Sequence, residues 1–414
     1  MKKLFMGVIL FVAASMIVFG SANRQAAPSS SGELVINFYE HSDNDAIVNK
    51  LVEAYNASHP GIRVVYHSIP NDDYDDKIKV LAAGGSDMDI FWIRTPAQTQ
   101  QFITNNALLD LSSYIQASGL DLAPIRSTSL PGAMRSGKIY GLPTTGSAWM
   151  LFYNKDLFDA KGLPYPINFT WSQYLELAKQ LTYTEGGKKY WGGLCPPWTM
   201  NLGASSAGEY LTADPMPYTR RYAEVLYQMY VGDKSHPSIE DMSVGTFDVG
   251  AFFDAGNVYM MIMGDWQYNL FKGNFNVATA PMPIFDGIAQ GSTVGQASYF
   301  VVSAGSKHPK EAYDFIEWAL TSAQGTTIYA SSKNVPSYST PEALAEYQRL
   351  VTVPGVEYRF SAKVGAEQGT ETYYGEINDA FSQEIQLYLI GEQTLDQTFT
   401  NFYKLRSEVL ANNQ

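Results

Sequence analysis

The stretch GKIYGLPTTGSAWMLFYNKDLF, residues 137–158, decides how the chain is organised. A turn runs into Tyr140-Gly141-Leu142-Pro143. A polar gap of Thr144-Thr145-Gly146-Ser147 follows, and then an apolar run from Trp149 to Tyr153 that stops at Asn154-Lys155-Asp156. A short apolar run bounded by turn residues predicts a buried strand. The gap before it has two readings. It is either a plain loop ahead of a strand, or a crossing between two lobes with a ligand lying against the Thr/Ser/Gly segment.

Upstream, Glu33 to Tyr39 predicts a first strand, followed by the polar turn Glu40-His41-Ser42-Asp43-Asn44. Ile47, Leu51, Ala54 and Tyr55 recur at helical spacing until His59-Pro60-Gly61 stops them. Ile62–His67 predicts a strand, Tyr74–Ala83 a helix and Asp89–Ile93 a fully buried strand. Strand, helix, strand, helix, strand is the rhythm of an open parallel sheet. Downstream, Thr170 and Gln173 form a T-x-x-Q capping box ahead of a helix with Tyr174, Leu177, Ala178 and Leu181 on one face. Helix over 220–230, a short helix over 247–255 and strands over 258–263, 276–282 and 298–303 follow. A helix over 309–320 and a mostly helical C-terminal third complete the pattern.

At 414 residues the chain exceeds what one core organises, so two lobes are expected. Its 28 basic against 41 acidic residues, net −13, exclude a phosphate-binding surface, so nucleic acid is not a partner. The same charge favours a monomer. Residues 1–22 have the pattern of a signal peptide: Lys2 and Lys3, an apolar core from Leu4 to Phe19, then Gly20-Ser21-Ala22. Ser21 stands where a lipoprotein would carry cysteine, so cleavage after Ala22 to a free exported protein is expected, with 23–32 as a flexible linker. Cys195 is the only cysteine, which excludes an intramolecular disulfide. No metalloprotease, zinc-ribbon, dinucleotide or P-loop motif occurs, so neither cofactor nor metal is expected. The acidic run Asn71–Asp76 lacks the glycine and terminal Glu of a calcium loop and is read as a helix start.

Several stretches together resemble the extracellular solute-binding proteins that feed ABC importers, in the sugar- and oligosaccharide-binding, maltose-binding-protein-like family. They are NASHPGIRVVY (56–66), LAAGGSDMDIFW (81–92), GKIYGLPTTGSAWMLFYNKDLFDAKGL with TWSQYLELAKQL (137–181), AFFDAGNVYMMIMGDWQ (251–267), VATAPMP (277–283) and HPKEAYDFIEWALTSAQG (308–325). The order is the family's, over nearly the whole mature chain. The missing lipobox cysteine and the Gly/Pro/Trp-rich segment 191–217 depart from it. The resemblance implies an α/β, two-lobe periplasmic-binding-protein fold with discontinuous lobes. They would be 33–145 with 283–327, and 146–282 with 328–414, joined by crossing strands around a ligand cleft. It implies a carbohydrate ligand, ABC permease subunits as partners and no catalysis.

Sugar rims need hydrogen-bonding side chains and sugar faces need aromatic rings. With 14% aromatic residues, most rings belong to the core, so only those at predicted strand ends are candidates. Glu40 and His41 follow the first strand; a solvated turn is the alternative. Trp92 is either a core ring or a ligand ring; Arg94 shares its face at the end of the third strand, and an Arg there needs an anionic or hydroxyl partner. Ser147 and Trp149 lie in the crossing and either bind or merely pack. Asp265 and Trp266 follow an apolar strand; an N-cap and a core ring are the alternative. Trp198 stands in the aperiodic segment. The resemblance adds Tyr373 and Tyr374, one of which would stack on the ligand. A secreted glycoside hydrolase using Glu40 and Asp265 is the runner-up. A peptide or polyamine binder on the same scaffold would need a strongly acidic pocket.

Overall fold

The computed structural model describes residues 32–125, 128–242 and 247–413. The expected signal peptide, Ser21 included, and the linker up to residue 31 lie outside the described residues. Among the described residues no helix is long and apolar enough to cross a membrane.

Two five-stranded sheets organise the chain. The first runs in the order Ile62–Ile69, Leu34–His41, Ile90–Ile93, Ala297–Val302, Gly141–Gly146. Its first three strands are mutually parallel, and Ala297–Val302 runs against both neighbours. The second sheet has the order Val277–Pro281, Trp149–Asn154, Val258–Gly264, Lys188–Leu194, Tyr183–Glu185. Trp149–Asn154 is antiparallel to both neighbours, and Val258–Gly264 is parallel to Lys188–Leu194. Each sheet has its own core. Ile36, Phe38, Ile90, Phe300 and the helix residues Leu51, Tyr55 and Phe315 form one. Leu151, Phe152, Met260, Met261, Tyr174, Tyr222 and Phe381 form the other. Helical periodicity is the local cause: Ile47, Val48, Leu51, Val52 and Tyr55 are the buried stripe of Asp45–Ser58. The expected capping box closes at Thr170, with both Gln173 N to Thr170 Oγ1 (3.3 Å) and Thr170 N to Gln173 Oε1 (2.9 Å) present.

Three segments pass between the lobes. Gly146 ends a strand of the first sheet and Trp149 begins one of the second, so the opening stretch is a crossing. The chain returns between Gly295 and Ala297. Met282, Phe285 and Val294 pack in the second core, because apolar side chains after Pro283 continue to cover it, and they do not join the first lobe at residue 283. The third crossing follows Tyr329, which is in the first core, while Ala330 and Val335 are in the second. Parallel strands carry their C-terminal ends to one edge, where open α/β sheets place ligands. In the first sheet that edge holds His41, Ile69 and Ile93; in the second it holds Leu194 and Gly264, beside the first residue of Trp149–Asn154. Both edges border the crossings.

Candidate functional site

On the first lobe, the strand ends bring together Glu40, His41, Trp92 and Arg94. The His41 and Trp92 rings lie 4.4 Å apart, and Tyr74 meets both edge-on at 5.8 and 5.7 Å. Tyr74 fixes the strand end, its hydroxyl donating to Trp92 O (2.7 Å) and accepting from Trp92 N (3.1 Å). Arg94 lies 5.0 Å from the Trp92 ring centre, a cation–π distance. Its Nε donates to Asp75 Oδ2 (3.2 Å) and its terminal nitrogen to Asn71 Oδ1 (3.0 Å), so the partner that an Arg needs comes from the acidic helix start. Glu40 shares a strand face with Ile36 and Phe38 and is fully buried. Its Oε1 accepts from Asn44, and its Oε2 has no partner among the described residues. Burial pushes its carboxyl up to about 8. His41 Nδ1 is likewise buried and without a hydrogen-bond partner, and burial, helped by Arg94, lowers the ring to about 3. Both groups are therefore uncharged near neutral pH.

On the second lobe, Ser147, Trp149, Asp265 and Trp266 meet at the crossing. Ser147 Oγ donates to Gln296 O (2.9 Å) and accepts from Gln296 N (3.0 Å), tying the first crossing to the second. Trp149 is fully buried, and Trp266, partly exposed, packs edge-on against it at 5.3 Å. Gly264 permits this, because a Cβ there would stand 1.8 Å from the Trp266 ring. Asp265 is buried, its carboxylate engaged by Arg359 and its N–H donating to Ala148 O (2.9 Å). Gln267, next in the chain, is fully buried with both amide atoms unpartnered among the described residues.

The walls face one another. Asp43 on the first lobe is raised mainly by burial, with Asp248 of the second lobe among the charges that add to it. A Cβ on Gly375 would lie 3.0 Å from Gln101 Nε2, so the helices Tyr374–Leu389 and Pro96–Thr104 touch across the gap. The remaining candidates are not gathered in. Trp198 is 57% exposed and shares no ring contact or hydrogen bond with either wall among the described residues. Tyr374 is a core residue at 1% exposure, whereas Tyr373 is partly exposed. A cavity of about 540 Å³, lined by Trp171, Arg221, Phe285 and Tyr388 among others, lies on the second lobe and shares no residue with either wall. Sequence reasoning missed Tyr74, Gln267, Arg359 and Glu367: Tyr74 reads as one more apolar residue of the periodic helix 74–83, Glu367 follows a strand that the pattern does not announce, and no local signal marks Gln267 or Arg359.

A family model described as bacterial extracellular solute-binding protein matches residues 40–326. The galactooligosaccharide-binding protein of Bacillus subtilis (strain 168) is 24% identical over 347 residues, covering 79% of this chain and 78% of its own. Among solved structures, an ABC substrate-binding protein from Listeria monocytogenes in complex with cycloalternan superposes with a TM-score of 0.81 at 22% identity. It covers 91% of this chain and 99% of that one. A sugar transporter from Rhizobium etli in an open conformation gives 0.74 at 23%, covering 90% and 98%.

Proposed function

Because the chain belongs to the family of bacterial extracellular solute-binding proteins, we propose that it captures a neutral sugar or oligosaccharide between its lobes and delivers it to an ABC permease. The exported form would be released by cleavage after Ala22. The observation that carries this reading is the pair of rings on opposite walls, one of them set among hydrogen-bonding side chains. Trp92 stands with His41 and Arg94 on one side, and the partly exposed Trp266 on the other. Rings suit the C–H faces of a sugar and the polar groups its hydroxyls. The relatives' names, a galactooligosaccharide-binding protein and a melibiose/raffinose/stachyose-binding protein, point the same way. Within the proposal Trp92, His41, Arg94 and Trp266 contact the ligand, Trp149 backs Trp266, and Ser147 belongs to the hinge.

The competing readings fit less well. Glycoside hydrolysis needs a carboxylic acid and a free carboxylate flanking the bond. Asp265 is held by Arg359, and Glu40 is buried on the core face of its strand. A polyamine would need a strongly acidic pocket, whereas on the first wall burial holds Glu40 neutral and Arg94 adds a cation beside Trp92. The test is thermal unfolding against a panel of mono- and oligosaccharides. Ligand at a hundredfold over its dissociation constant adds about 2.7 kcal/mol to the native state, and chromatography afterwards should recover it intact. No shift with any saccharide, or release of smaller sugars, would overturn the reading.

A further inference from the structure

We propose that Arg359 is a positioning residue of the cleft, holding the Asp265–Trp266 turn in register with the first crossing; this rests on reading the cleft as the ligand site. Arg359 sits in the short helix Glu357–Ser361 and is 2% exposed. Its Nε donates to Asp265 Oδ2, and a terminal nitrogen donates to Gly146 O. Gly146 is the last residue of a first-sheet strand, and Asp265 directly follows the central strand of the second sheet. One guanidinium therefore spans the ends of two sheets, one in each lobe.

The donors of a guanidinium form a rigid planar fork, which fixes the separation between two acceptors in a way that a lysine point charge does not. The turn is held from its other side by Asp265 N donating to Ala148 O at 2.9 Å. Trp266 follows at once, with its ring laid over Gly264 and edge-on to Trp149. With backbone and carboxylate both pinned, the turn holds the Trp266 Cα, and Gly264 and Trp149 hold the ring that it carries. This gives Asp265 a role other than meeting sugar hydroxyls. Its Oδ2 is committed to Arg359, and it acts on the ligand through the placement of Trp266.

A buried ion pair can also be there for stability alone, and replacing both charges separates the two roles. The double variant Arg359→Met/Asp265→Asn leaves no buried ion unpaired. Arg359→Lys keeps the charge but not the fork, and carries the measurement if the double variant fails to fold. The readouts are amide hydrogen exchange over 264–268 and affinity for raffinose, maltotriose and mannotriose. The expected result is faster exchange in that segment and about tenfold or more weaker binding of whichever sugar the wild type binds. Unchanged exchange over 264–268, or unchanged affinity despite faster exchange, would overturn the proposal. If the wild type binds none of these sugars, the saccharide reading fails for them, and the exchange measurement still decides what Arg359 does.

Discussion

The indole Nε1 of Trp149 donates to Glu367 Oε2 at 2.7 Å, joining the first crossing to the segment after strand Lys363–Ala366. Burial pushes the Glu367 carboxyl up to about 7, and the Trp149 N–H draws it partly back. The folded chain therefore keeps a proton that the unfolded chain has released. The contribution is full below the ordinary carboxylate range and is lost as pH rises through about 7. Glu367→Gln retains an acceptor for Trp149 without the titration. Between about pH 5 and pH 8 the wild type should lose about 1–3 kcal/mol relative to this variant in denaturant unfolding. Parallel pH profiles would contradict the assignment.

Glu40 titrates in the same sense, its contribution being lost as pH rises through about 8. Glu40→Gln, able to keep the bond from Asn44, should raise stability above neutral pH and leave sugar affinity unchanged, since the side chain faces the core. A large loss of affinity would place Glu40 in the site. His41 has the opposite sense: with its folded value at about 3, the stability present above its ordinary value is lost as pH falls. Its ring signals in NMR should stay flat from about pH 8 to pH 5. Titration with a midpoint near 6.5 would contradict the neutral, buried imidazole.

Trp149 and Trp266 touch, yet truncation should separate them. Trp149 is fully buried, so Trp149→Ala should cost about 3–5 kcal/mol of folding stability. Trp266 is partly exposed, and as a ligand anchor its loss should cost about 2 kcal/mol of binding, roughly thirtyfold in affinity. Measuring unfolding and affinity on both variants decides. Normal affinity with a large stability loss for Trp266→Ala would remove it from the site.

Most of the fold was legible because its elements are strongly periodic. Ile36 and Phe38 alternate, Ile47 to Tyr55 repeat every turn, and Thr170/Gln173 announce their own helix start. Strand alternation alone puts Trp92 and Arg94 on one face. What stayed hidden is long-range. Arg359 reaches Asp265 across 94 residues and Trp149 reaches Glu367 across 218, and no local pattern encodes either contact. Tyr373 and Tyr374 are adjacent and chemically identical, so only packing tells the core ring from the exposed one. The return crossing falls later than Pro283 suggests, because Phe285 and Val294 still cover the second core.

Closure is the expected response of two lobes joined by crossings. Small-angle scattering should give a smaller radius of gyration with saturating saccharide than without. An identical profile at saturation would count against hinge motion about residues 146–149.

The most direct measurement is a crystal structure grown with the saccharide that gives the largest thermal shift. Sugar density should lie between the lobes, with Trp92 and His41 on one side and Trp266 on the other, and none in the cavity beside Arg221 and Tyr388. Density confined to that cavity, or a cleft without sugar under saturating conditions, would contradict a sugar site between the lobes.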